Sequence, residues 1–451
     1  MDFLPAELGF IKPGETWALV GDSGSGHSDL LYTITGKGIE HVSFKHHFRN
    51  LSNTTQFYYQ QRFNSTDSED AQTVHEYLVS QQSASRKCLW TYAKVISVLR
   101  LEELLSKQVI KLSNGETKRL LLATALIRNP RALLLDHPLT GLDVNARKTF
   151  GLLLEEISNS GVFVIMASDP DEIPSTISHV AVVKNGKVVY SDSIDKYRVQ
   201  QFGFEAPPEP DTALLQQLTR NTILPTFDTI VRLTDVNIQY DGKKILSHVS
   251  WHVRQGERWA LSGPNGAGKS TLLSLINGDN PQAYANKIVL FDRVRGSGES
   301  IWDIKTKIGF ISPELYQYFP TDSTCLHVVE SGFYDTAGLF RPSDPEKEKL
   351  CRQWMTLFQI QQFENKLLNM APAFVQRLCL LARALVKNPP LLILDEPTQG
   401  LDNVRTQFFT RVIDDLCLHT DVTLIYVSHY EHHIPKAVNR RLTLNNGRVV
   451  N

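Results

Sequence analysis

A glycine-rich stretch in the second half of the chain has the residue types of a phosphate-binding loop. It fits the pattern GxxxxGK[ST] completely and consists of Gly263, Pro264, Asn265, Gly266, Ala267, Gly268, Lys269, Ser270 and Thr271. Glycines let backbone N–H groups close around phosphates at the N-terminus of a helix. The pattern predicts that Lys269 contacts the β- and γ-phosphates of a nucleotide and that Ser270 ligates Mg²⁺.

Two adjacent acids downstream could complete the Mg²⁺ shell and polarise an attacking water, which the loop residues cannot do. The stretch LLILDEP at 391–397 is an apolar strand pattern that ends in Asp395 and Glu396. A carboxylate such as Asp395 suits the oxygen shell of Mg²⁺, and Glu396 is placed to polarise an attacking water. A buried strand capped by solvated acids is the alternative interpretation, which the complete loop upstream makes much weaker. Together the two stretches predict binding and hydrolysis of a nucleoside triphosphate.

The first half keeps the outline of the same loop but not its lysine. The counterpart residues are Gly21, Asp22, Ser23, Gly24, Ser25, Gly26, His27 and Ser28. His27 stands where the second half has its lysine, and an imidazole is shorter and largely neutral near pH 7 unless a phosphate raises its pKa. In the stretch LLLDHP, Asp136 is retained and His137 replaces the second acid. These exchanges predict a degenerate nucleotide site.

The elements that must position these residues occur twice in the chain. Three stretches match in the same order: 13–31 with 255–273, 128–143 with 387–402, and 162–174 with 422–435. Each half alternates apolar strands with helical stretches, the pattern of parallel strands joined by crossover helices. The sequence predicts a duplicated α/β protein with domains at 1–199 and 229–451. The range 200–228, which includes the proline- and acid-rich FEAPPEPD, is predicted to be a linker.

The composition excludes several classes of protein. The 451 residues carry a net charge of −1, which provides no global field to hold nucleic acid. No apolar run reaches the roughly 18 residues that span a membrane, and the first residues, MDFLPAELGF, lack the pattern of a secretion signal. The five cysteines show no CxxC pairing, so neither a disulfide framework nor a zinc site is predicted from them. We expect a cytoplasmic protein of two or three domains.

With the motifs in this order, both halves resemble the nucleotide-binding domains of the ABC ATPase family. The markers are the Walker A loops, a signature-like LSNGE at 112–116, the Walker B strands, GLD in both halves and a histidine after a buried strand. The resemblance covers nearly the whole chain and implies two P-loop domains, each with a mainly parallel sheet core and a helical subdomain. Within the family, the stretch 295–312 looks like the ModF type, a duplicated ATPase named for an association with molybdate transport.

The resemblance implies a head-to-tail pair of domains with two ATP molecules sandwiched between them. Each site would take Walker A, Walker B and the switch histidine from one half and the signature from the other. For the site on the second Walker A, His429 has the position of the switch histidine and Tyr240 that of the aromatic stacked on adenine. The residues assigned there to catalysis and to Mg²⁺ are Lys269, Glu396, His429, Ser270 and Asp395.

The first half would supply the signature of that site. The residues are Ser113, Asn114, Gly115 and Glu116. Ser113 and Glu116 also fit a capping box, so a helix is predicted to begin here and to point its free N–H groups at the γ-phosphate. Gly115 leaves room for close approach. An ordinary capped surface helix is the alternative, which the following NPRALLLD and GLD make weaker.

Departures from the family pattern gather on the other composite site. Besides His27 and His137, Asp169 replaces the switch histidine. The range 371–375, where a signature is expected, contains neither serine nor glycine, and Phe374 would fill the space that the signature glycine leaves open. The sequence therefore predicts one hydrolytic site and one degenerate site that binds ATP weakly or holds it without turnover.

Two further family positions concern the Q-loop and the switch segment. Pro313 stands at the position of the Q-loop glutamine in the second half and Glu314 follows it, whereas Gln60 or Gln61 fits that position in the first half. The carboxylate of Glu314 cannot donate a hydrogen bond as an amide does. The coupling of ATP hydrolysis to a partner protein is therefore expected to differ from the family pattern. The run HYEHH at 429–433 is interpreted as a switch histidine followed by solvated histidines rather than a metal site.

Three functions fit the sequence, all with ATP and Mg²⁺ as cofactors or ligands. The preferred one is an ATPase subunit, peripheral at the inner face of the plasma membrane, that docks on a membrane permease for molybdate or another small anion. The second is a soluble ABC ATPase that acts on nucleic acid or ribosomes, against which the short acidic linker and the lost signature argue. The third is a binding module that ATP locks without hydrolysis.

Overall fold

The protein is described by a computed structural model that divides into two compact units, Met1–Phe204 and Glu205–Asn451. The described residues are 8–9, 11–12, 15–21, 25–43, 72–82, 89–109, 112, 114–139, 142, 144–170, 172–199, 209–219, 226–240, 242–312, 315, 319–399, 401 and 403–450. Each unit has its own hydrophobic core, as the duplicated sequence pattern predicts.

The first unit is built on a six-stranded sheet. Its strands are β1 (Thr16–Val20), β2 (Ile39–Ser43), β3 (Ala132–Asp136), β4 (Phe163–Ser168), β5 (His179–Lys184) and β6 (Lys187–Ser193). The strand order is β2-β3-β4-β1-β5-β6, and neighbours are parallel except for the antiparallel pair β5–β6. Alternate residues of β1 face two separate apolar clusters, Trp17 and Leu19 on one side and Ala18 and Val20 on the other. Both faces of this sheet are therefore covered, as is usual for parallel sheets.

Helices lie on both sides of this sheet. They are α1 (His27–Tyr32), α2 (Val74–Ser80), α3 (Tyr92–Leu99), α4 (Asn114–Ile127), α5 (Val144–Asn159) and α6 (Ile194–Val199). Helix α2 begins with a capping box in which Thr73 accepts from the Glu76 N–H and Glu76 accepts from the Thr73 N–H. Helices α2, α3 and α4 pack together into the helical subdomain of the unit.

The second unit repeats the strand order of the first. Its main sheet contains β9 (Arg258–Ser262), β12 (Ile308–Ile311), β13 (Leu391–Asp395), β14 (Thr423–Val427), β15 (Arg440–Asn445) and β16 (Arg448–Val450). The order is β12-β13-β14-β9-β15-β16, again parallel except for the last pair. The predicted α/β core of mainly parallel strands is confirmed in both units.

A separate antiparallel sheet distinguishes the second unit. It consists of β7 (Val231–Tyr240), β8 (Lys243–Val253), β10 (Lys287–Leu290) and β11 (Arg293–Val294), in the order β11-β10-β7-β8. Buried and exposed residues alternate along much of β7, which places Leu233, Val236 and Ile238 in the core. The described residues of the first unit form no separate sheet of this kind.

The helices of the second unit include one inside the range predicted to be a linker. They are α7 (Thr212–Thr219), α8 (Lys269–Ile276), α9 (Ile301–Lys305), α10 (Cys325–Glu330), α11 (Pro345–Leu357), α12 (Ala373–Leu385) and α13 (Asn403–His419). Leu215 and Leu218 of α7 are buried against the core of the second unit, and Thr212 Oγ1 donates to Asp415 Oδ2 at 3.2 Å. Helices α10, α11 and α12 form the helical subdomain.

Short 3₁₀ segments complete the described secondary structure. They are Glu102–Leu104, Pro281–Ala285, Ser331–Phe333, Gln361–Phe363, Leu368–Met370 and Glu431–His433. Among the helices that the structure describes, none is both long enough and apolar enough to cross a membrane.

Candidate functional site

The predicted site residues of the second unit other than Tyr240 follow neighbouring strands at one edge of its main sheet. The glycine-rich loop follows β9, Asp395 ends β13, and His429 lies two residues after β14. These three strands are parallel and adjacent in the order β13-β14-β9. Their carboxyl ends therefore meet at the same edge, where open α/β sheets bind ligands.

The loop requires glycine for its backbone shape. Gly263, Gly266 and Gly268 have φ values of 141°, 76° and 100°, which lie in the region that favours glycine. A Cβ on Gly263 would collide with the carbonyl oxygen of Leu444, and one on Gly268 would lie 2.7 Å from Leu246 Cδ2. Gly268 is also the N-cap of α8 and has no side chain with which to cap it. The first turn of α8 is thus open to an anionic ligand.

Lys269 lies inside this loop rather than extending into solvent. Its Nζ donates to the carbonyl oxygens of Gly263 at 2.7 Å and Pro264 at 3.1 Å. The residue is 8% exposed. The loop carbonyls hold the ammonium group beside the cradle that the backbone forms.

The other predicted residues of the loop differ in exposure. Pro264, Asn265, Gly266 and Ser270 are exposed, Thr271 is half-buried, and Ala267 is buried. The exposed set forms the rim of the loop, and the hydroxyl of Ser270 lies in the first turn of α8.

Glu396 is held in an unusual backbone conformation by the sheet edge. Its φ is 45°, which is uncommon for a residue other than glycine, and its N–H donates to Val427 O at 3.0 Å. Glu396 Oε1 lies 2.8 Å from His429 Nε2, a close contact that is not aligned as a hydrogen bond. Gln399 Nε2 donates to Glu396 Oε2 at 3.1 Å. Each oxygen of this carboxylate therefore has a side chain beside it.

Gln399 was not among the predicted site residues. Its own N–H donates to Glu396 O at 3.1 Å, so a tight turn brings the two side chains together. A spacing of three residues between an acid and an amide is the sequence signal that could have indicated this contact.

Tyr240 is anchored through its hydroxyl group. Asn280 Nδ2 donates to Tyr240 Oη at 2.9 Å and to Ser274 Oγ at 3.1 Å. Burial raises the pKa of Tyr240, and the hydrogen bond from Asn280 opposes this shift. The half-buried ring thus keeps a fixed position at the end of β7. Asn280 is far from Tyr240 in the sequence, and no spacing pattern predicted the contact.

The signature segment of the first unit begins helix α4. Gly115 lies in the first turn, and a Cβ added there would have no atom within 4 Å. Glu116 Oε2 accepts a hydrogen bond from Lys107 Nζ at 2.7 Å. Asn114 is the first residue of the helix, whereas Ser113 lies outside the described residues, so the capping box stays a prediction.

The corresponding segment of the second unit begins helix α12. Its N-cap is Pro372, which has no side-chain group that could accept a hydrogen bond from the helix. The Arg405 guanidinium carbon lies 3.6 Å from the centre of the Phe374 ring, and the Phe363 ring packs on its edge at a centroid distance of 6.1 Å. A packed aromatic side chain therefore replaces the open glycine of the first unit.

In the first unit, Asp136 is enclosed by hydroxyl groups. Ser28 Oγ donates to Asp136 Oδ1 at 2.8 Å, and Tyr32 Oη donates to Asp136 Oδ2 at 3.2 Å. Tyr32 was not predicted to take part, although it lies four residues after Ser28 and thus on the same face of α1. Both carboxylate oxygens of Asp136 are engaged within the unit.

His27 is buried and contacts His137. The two Nε2 atoms lie 3.2 Å apart, and His27 Nδ1 lies 2.8 Å from Ser25 Oγ. Burial and repulsion from His137 lower the pKa of His27, Asp136 opposes both effects, and the resulting pKa is about 4. His27 is therefore neutral at physiological pH.

His137 repeats the backbone of Glu396. Its φ is 47°, and its N–H donates to Ala167 O at 2.9 Å. His137 Nδ1 lies 3.7 Å from Asp169 Oδ2. The structure thus brings together the three residues that replace Lys269, Glu396 and His429.

The remaining residues of the first loop are only partly described. Gly21 is buried, a Cβ there would collide with Ser25 Oγ, and Gly26 is the N-cap of α1 with a φ of 85°. Several predicted positions lie outside the described residues, namely Asp22, Ser23, Gly24, Gln60, Gln61, Pro313 and Glu314.

Comparisons with known proteins agree with this geometry. The family model described as ABC transporter matches residues 9–140 and 246–399. The ABC transporter ATP-binding protein ModF of Escherichia coli strain K12 is 32% identical, and the match covers 96% of this chain and 91% of that protein. An uncharacterised ABC transporter ATP-binding protein of Schizosaccharomyces pombe is 31% identical, with 97% and 93% covered.

A solved structure shares the fold over almost the whole chain. It is the archaeal ribosome recycling factor in complex with a ribosomal stalk protein, with a TM-score of 0.55 and 18% identity. The match covers 98% of this chain and 86% of that one.

Proposed function

This chain belongs to the family of ABC transporter ATP-binding proteins, which are ATPases, and we propose that the residues of its second unit perform the hydrolysis. The first unit then carries a degenerate counterpart that does not turn ATP over. Catalysis of phosphoryl transfer is mostly positioning and charge stabilisation, so the side chains at the two sheet edges decide which unit is competent.

The contact of Glu396 with His429 carries this proposal. A carboxylate that polarises water must be held in place, and Glu396 has Gln399 on one oxygen and His429 on the other. His429 has the position of the switch histidine, so the same imidazole is placed to contact a γ-phosphate. In the first unit, neither His137 nor Asp169 reproduces this pairing of a base with a phosphate contact.

Lys269 supports the same assignment. Two loop carbonyls hold its ammonium group, and neither is a charged partner. Phosphate oxygens are stronger partners for an ammonium group, because hydrogen bonds between charged groups are roughly twice as strong as neutral ones. Binding of ATP would therefore exchange carbonyl contacts for phosphate contacts and leave the loop in place.

The residues proposed to hold Mg²⁺ fit that ion. Mg²⁺ prefers oxygen ligands, which Ser270 and Asp395 provide. In the first unit, the equivalent hydroxyl and carboxylate, Ser28 and Asp136, lie 2.8 Å apart, so this fold brings the two positions together. When bound, Mg²⁺ would neutralise charge on the transferred phosphoryl group.

The pairing of the two units in a head-to-tail manner is part of the proposal. The first unit would supply Ser113, Asn114, Gly115 and Glu116 to the ATP held by the second. The open space beside Gly115 supports this role, because a nucleotide could approach the helix start closely. Phe374 and Arg405 occupy the equivalent helix start of the second unit, which supports one competent site rather than two.

The proposed role is to energise transport through a membrane permease. The similarity to the ModF protein over 96% of the chain supports this role, with molybdate or a related small anion as the cargo. Docking would place the chain at the inner face of the membrane, where ATP-driven closing and opening of the two units would act on the permease.

A second candidate function is that of a non-transport ABC ATPase that acts on nucleic acid or ribosomes. The fold shared with the archaeal ribosome recycling factor over 98% of the chain favours it. Co-purification with an integral membrane protein would support the transport role, and co-sedimentation with ribosomes in the presence of non-hydrolysable ATP would support the second.

Steady-state ATP hydrolysis by Glu396→Gln, with His137→Gln as the matched variant, tests the assignment of the catalytic unit. We expect Glu396→Gln to lose hydrolysis by about 100-fold or more while it still binds ATP, because only the polarising carboxylate is removed. His137→Gln should keep the wild-type rate. Equal losses in the two variants, or wild-type hydrolysis by Glu396→Gln, would contradict the proposal.

A further inference from the structure

We propose that the first unit binds a divalent transition-metal ion such as Zn²⁺ through His27, His137 and Asp169. One ligand atom of each of these residues lies within 4.8 Å of the others. Among the described residues, this is the one group of three or more His, Cys, Asp or Glu side chains with such a spacing. The site coincides with the position where the second unit has its lysine, glutamate and histidine.

The two histidines are spaced as ligands of one ion. Zn²⁺ binds imidazole nitrogen at about 2.0–2.1 Å in tetrahedral geometry, which puts two nitrogen ligands roughly 3.3–3.4 Å apart. The Nε2 atoms of His27 and His137 are 3.2 Å apart. A hydrogen bond between two neutral imidazoles has a similar length, so the distance alone does not distinguish a metal site from a hydrogen-bonded pair. The neighbouring side chains supply the further evidence.

The surroundings fix which atoms face the shared point. Ser25 Oγ lies 2.8 Å from His27 Nδ1, which leaves Nε2 as the atom directed at His137. Metal-binding histidines commonly have the other ring nitrogen held by a hydrogen bond in this way. His27 is 4% exposed, so its ring is held in place by the packed side chains around it.

Asp169 provides the third ligand and the negative charge. Its Oδ2 lies 3.7 Å from His137 Nδ1, so the carboxylate is beside the His137 ring, next to the nitrogen that does not face His27. The three ligand atoms are farther apart than in a loaded site, so binding of an ion has to draw Asp169 inward. Asp136 Oδ1, which accepts from Ser28, lies 3.9 Å from His137 Nε2, so a second carboxylate adds negative charge beside the proposed ion.

The ligand set determines the class of metal. Two imidazoles and one carboxylate suit Zn²⁺ and neighbouring transition metals, whereas Mg²⁺ and Ca²⁺ prefer an all-oxygen shell. Three protein ligands leave a fourth position open to water or to a phosphate oxygen. A bound cation would also supply positive charge at the position where the first loop lacks its lysine.

The test uses the purified full chain, stripped of metal with a chelator, and Zn²⁺ alone as the probe. Isothermal titration and metal analysis are expected to give one Zn²⁺ per chain. His137→Gln and Asp169→Asn should each weaken binding by at least about 100-fold, the upper end of the loss seen when an outer-shell partner is removed. The matched control, His432→Ala with His433→Ala, removes two neighbouring histidines from the HYEHH run and should leave binding unchanged.

Co²⁺ binding by the wild-type chain provides a readout that does not depend on the folding of any variant. A four-coordinate nitrogen and oxygen site gives strong visible absorption without a thiolate charge-transfer band. Less than one equivalent of Zn²⁺ on the wild-type chain, a thiolate band, or wild-type affinity in a folded His137→Gln would overturn the proposal. The two histidines would then form a hydrogen-bonded pair only.

Discussion

Glu396 of the second unit and His137 of the first occupy equivalent positions in two copies of the same fold. Their φ values are 45° and 47°, and their N–H groups donate to the neighbouring strand at 3.0 and 2.9 Å. Glu396 faces His429, whereas His137 faces His27. The unusual backbone therefore belongs to the fold, and the side chain placed on it determines the chemistry.

The two glycine-rich loops differ in the same way. Gly26 and Gly268 are both N-caps of the helix that follows, with φ values of 85° and 100°. Lys269 is held by loop carbonyls that phosphate can replace, while His27 is neutral and in contact with another histidine. The first unit has kept the shape of a phosphate-binding loop and has lost its fixed positive charge.

The largest effect is expected from removing the loop lysine. Lys269→Ala should lower the rate of ATP hydrolysis by about 1,000-fold, because a charge that stabilises the transferred phosphoryl group is lost. The matched variant His27→Ala should change the rate by less than about twofold, since a neutral, buried imidazole supplies no such charge. Steady-state hydrolysis at saturating ATP measures both. A comparable loss in His27→Ala would remove the distinction between the units.

A smaller effect is expected from Gly115→Ala in the signature helix of the first unit. The added methyl group meets no atom within 4 Å, and alanine favours a helix by up to about 1 kcal/mol over glycine. The melting temperature should therefore stay equal or rise. Hydrolysis should fall by about 100-fold, because the methyl group would displace a nucleotide that approaches the helix start.

Gly115→Ala is informative because it should lower ATP hydrolysis without lowering the melting temperature. If Gly115→Ala hydrolyses ATP at the wild-type rate, the first unit does not contribute its signature to the competent site.

The next effect concerns the two Walker B aspartates. Asp136→Ala should lower the free energy of unfolding by about 1–3 kcal/mol, because the hydroxyls of Ser28 and Tyr32 lose their acceptor. Hydrolysis should remain within about twofold of wild type. Asp395→Ala should instead lower Mg²⁺-dependent hydrolysis by about tenfold or more, because a proposed Mg²⁺ ligand is removed. Thermal unfolding and hydrolysis measured on both variants distinguish a structural from a catalytic carboxylate, and a loss of hydrolysis in Asp136→Ala would contradict the assignment.

The smallest effect is expected from Phe374→Ala in the second unit. The ring packs on Arg405 and Phe363, and losing such a cation–π contact at a half-buried site costs about 1 kcal/mol of stability. Hydrolysis should not change, because this helix start is not proposed to contact the competent nucleotide. An altered rate with unchanged stability would show that the second signature segment takes part.

The positions of the loops and acids could be predicted from the sequence because they follow apolar strand patterns whose carboxyl ends meet. The repeat also made the correspondence of Lys269 with His27 evident. The contact between His27 and His137 joins residues 110 positions apart, and it depends on how two strands lie side by side. The same limit applies to Asn280, which anchors Tyr240 from a distant segment.

Helix α7 illustrates another limit of sequence patterns. The prolines and acids that precede it predicted a linker, yet Leu215 and Leu218 are buried in the second unit. The apolar residues of such a short helix give a weaker sequence signal than the prolines and acids around it. Helix α7 is stabilised by burial against the core of the second unit, which a local sequence pattern does not show.

The most direct test of one competent site is a rapid-quench burst experiment with radiolabelled ATP. The wild-type chain is mixed with a small excess of ATP and Mg²⁺, quenched rapidly, and the phosphate released in the first turnover is counted per chain. Hydrolysis of one ATP per chain, absent in Glu396→Gln and unchanged in His137→Gln, is the predicted result. A first turnover of two ATP per chain would show that both units hydrolyse and would contradict the account.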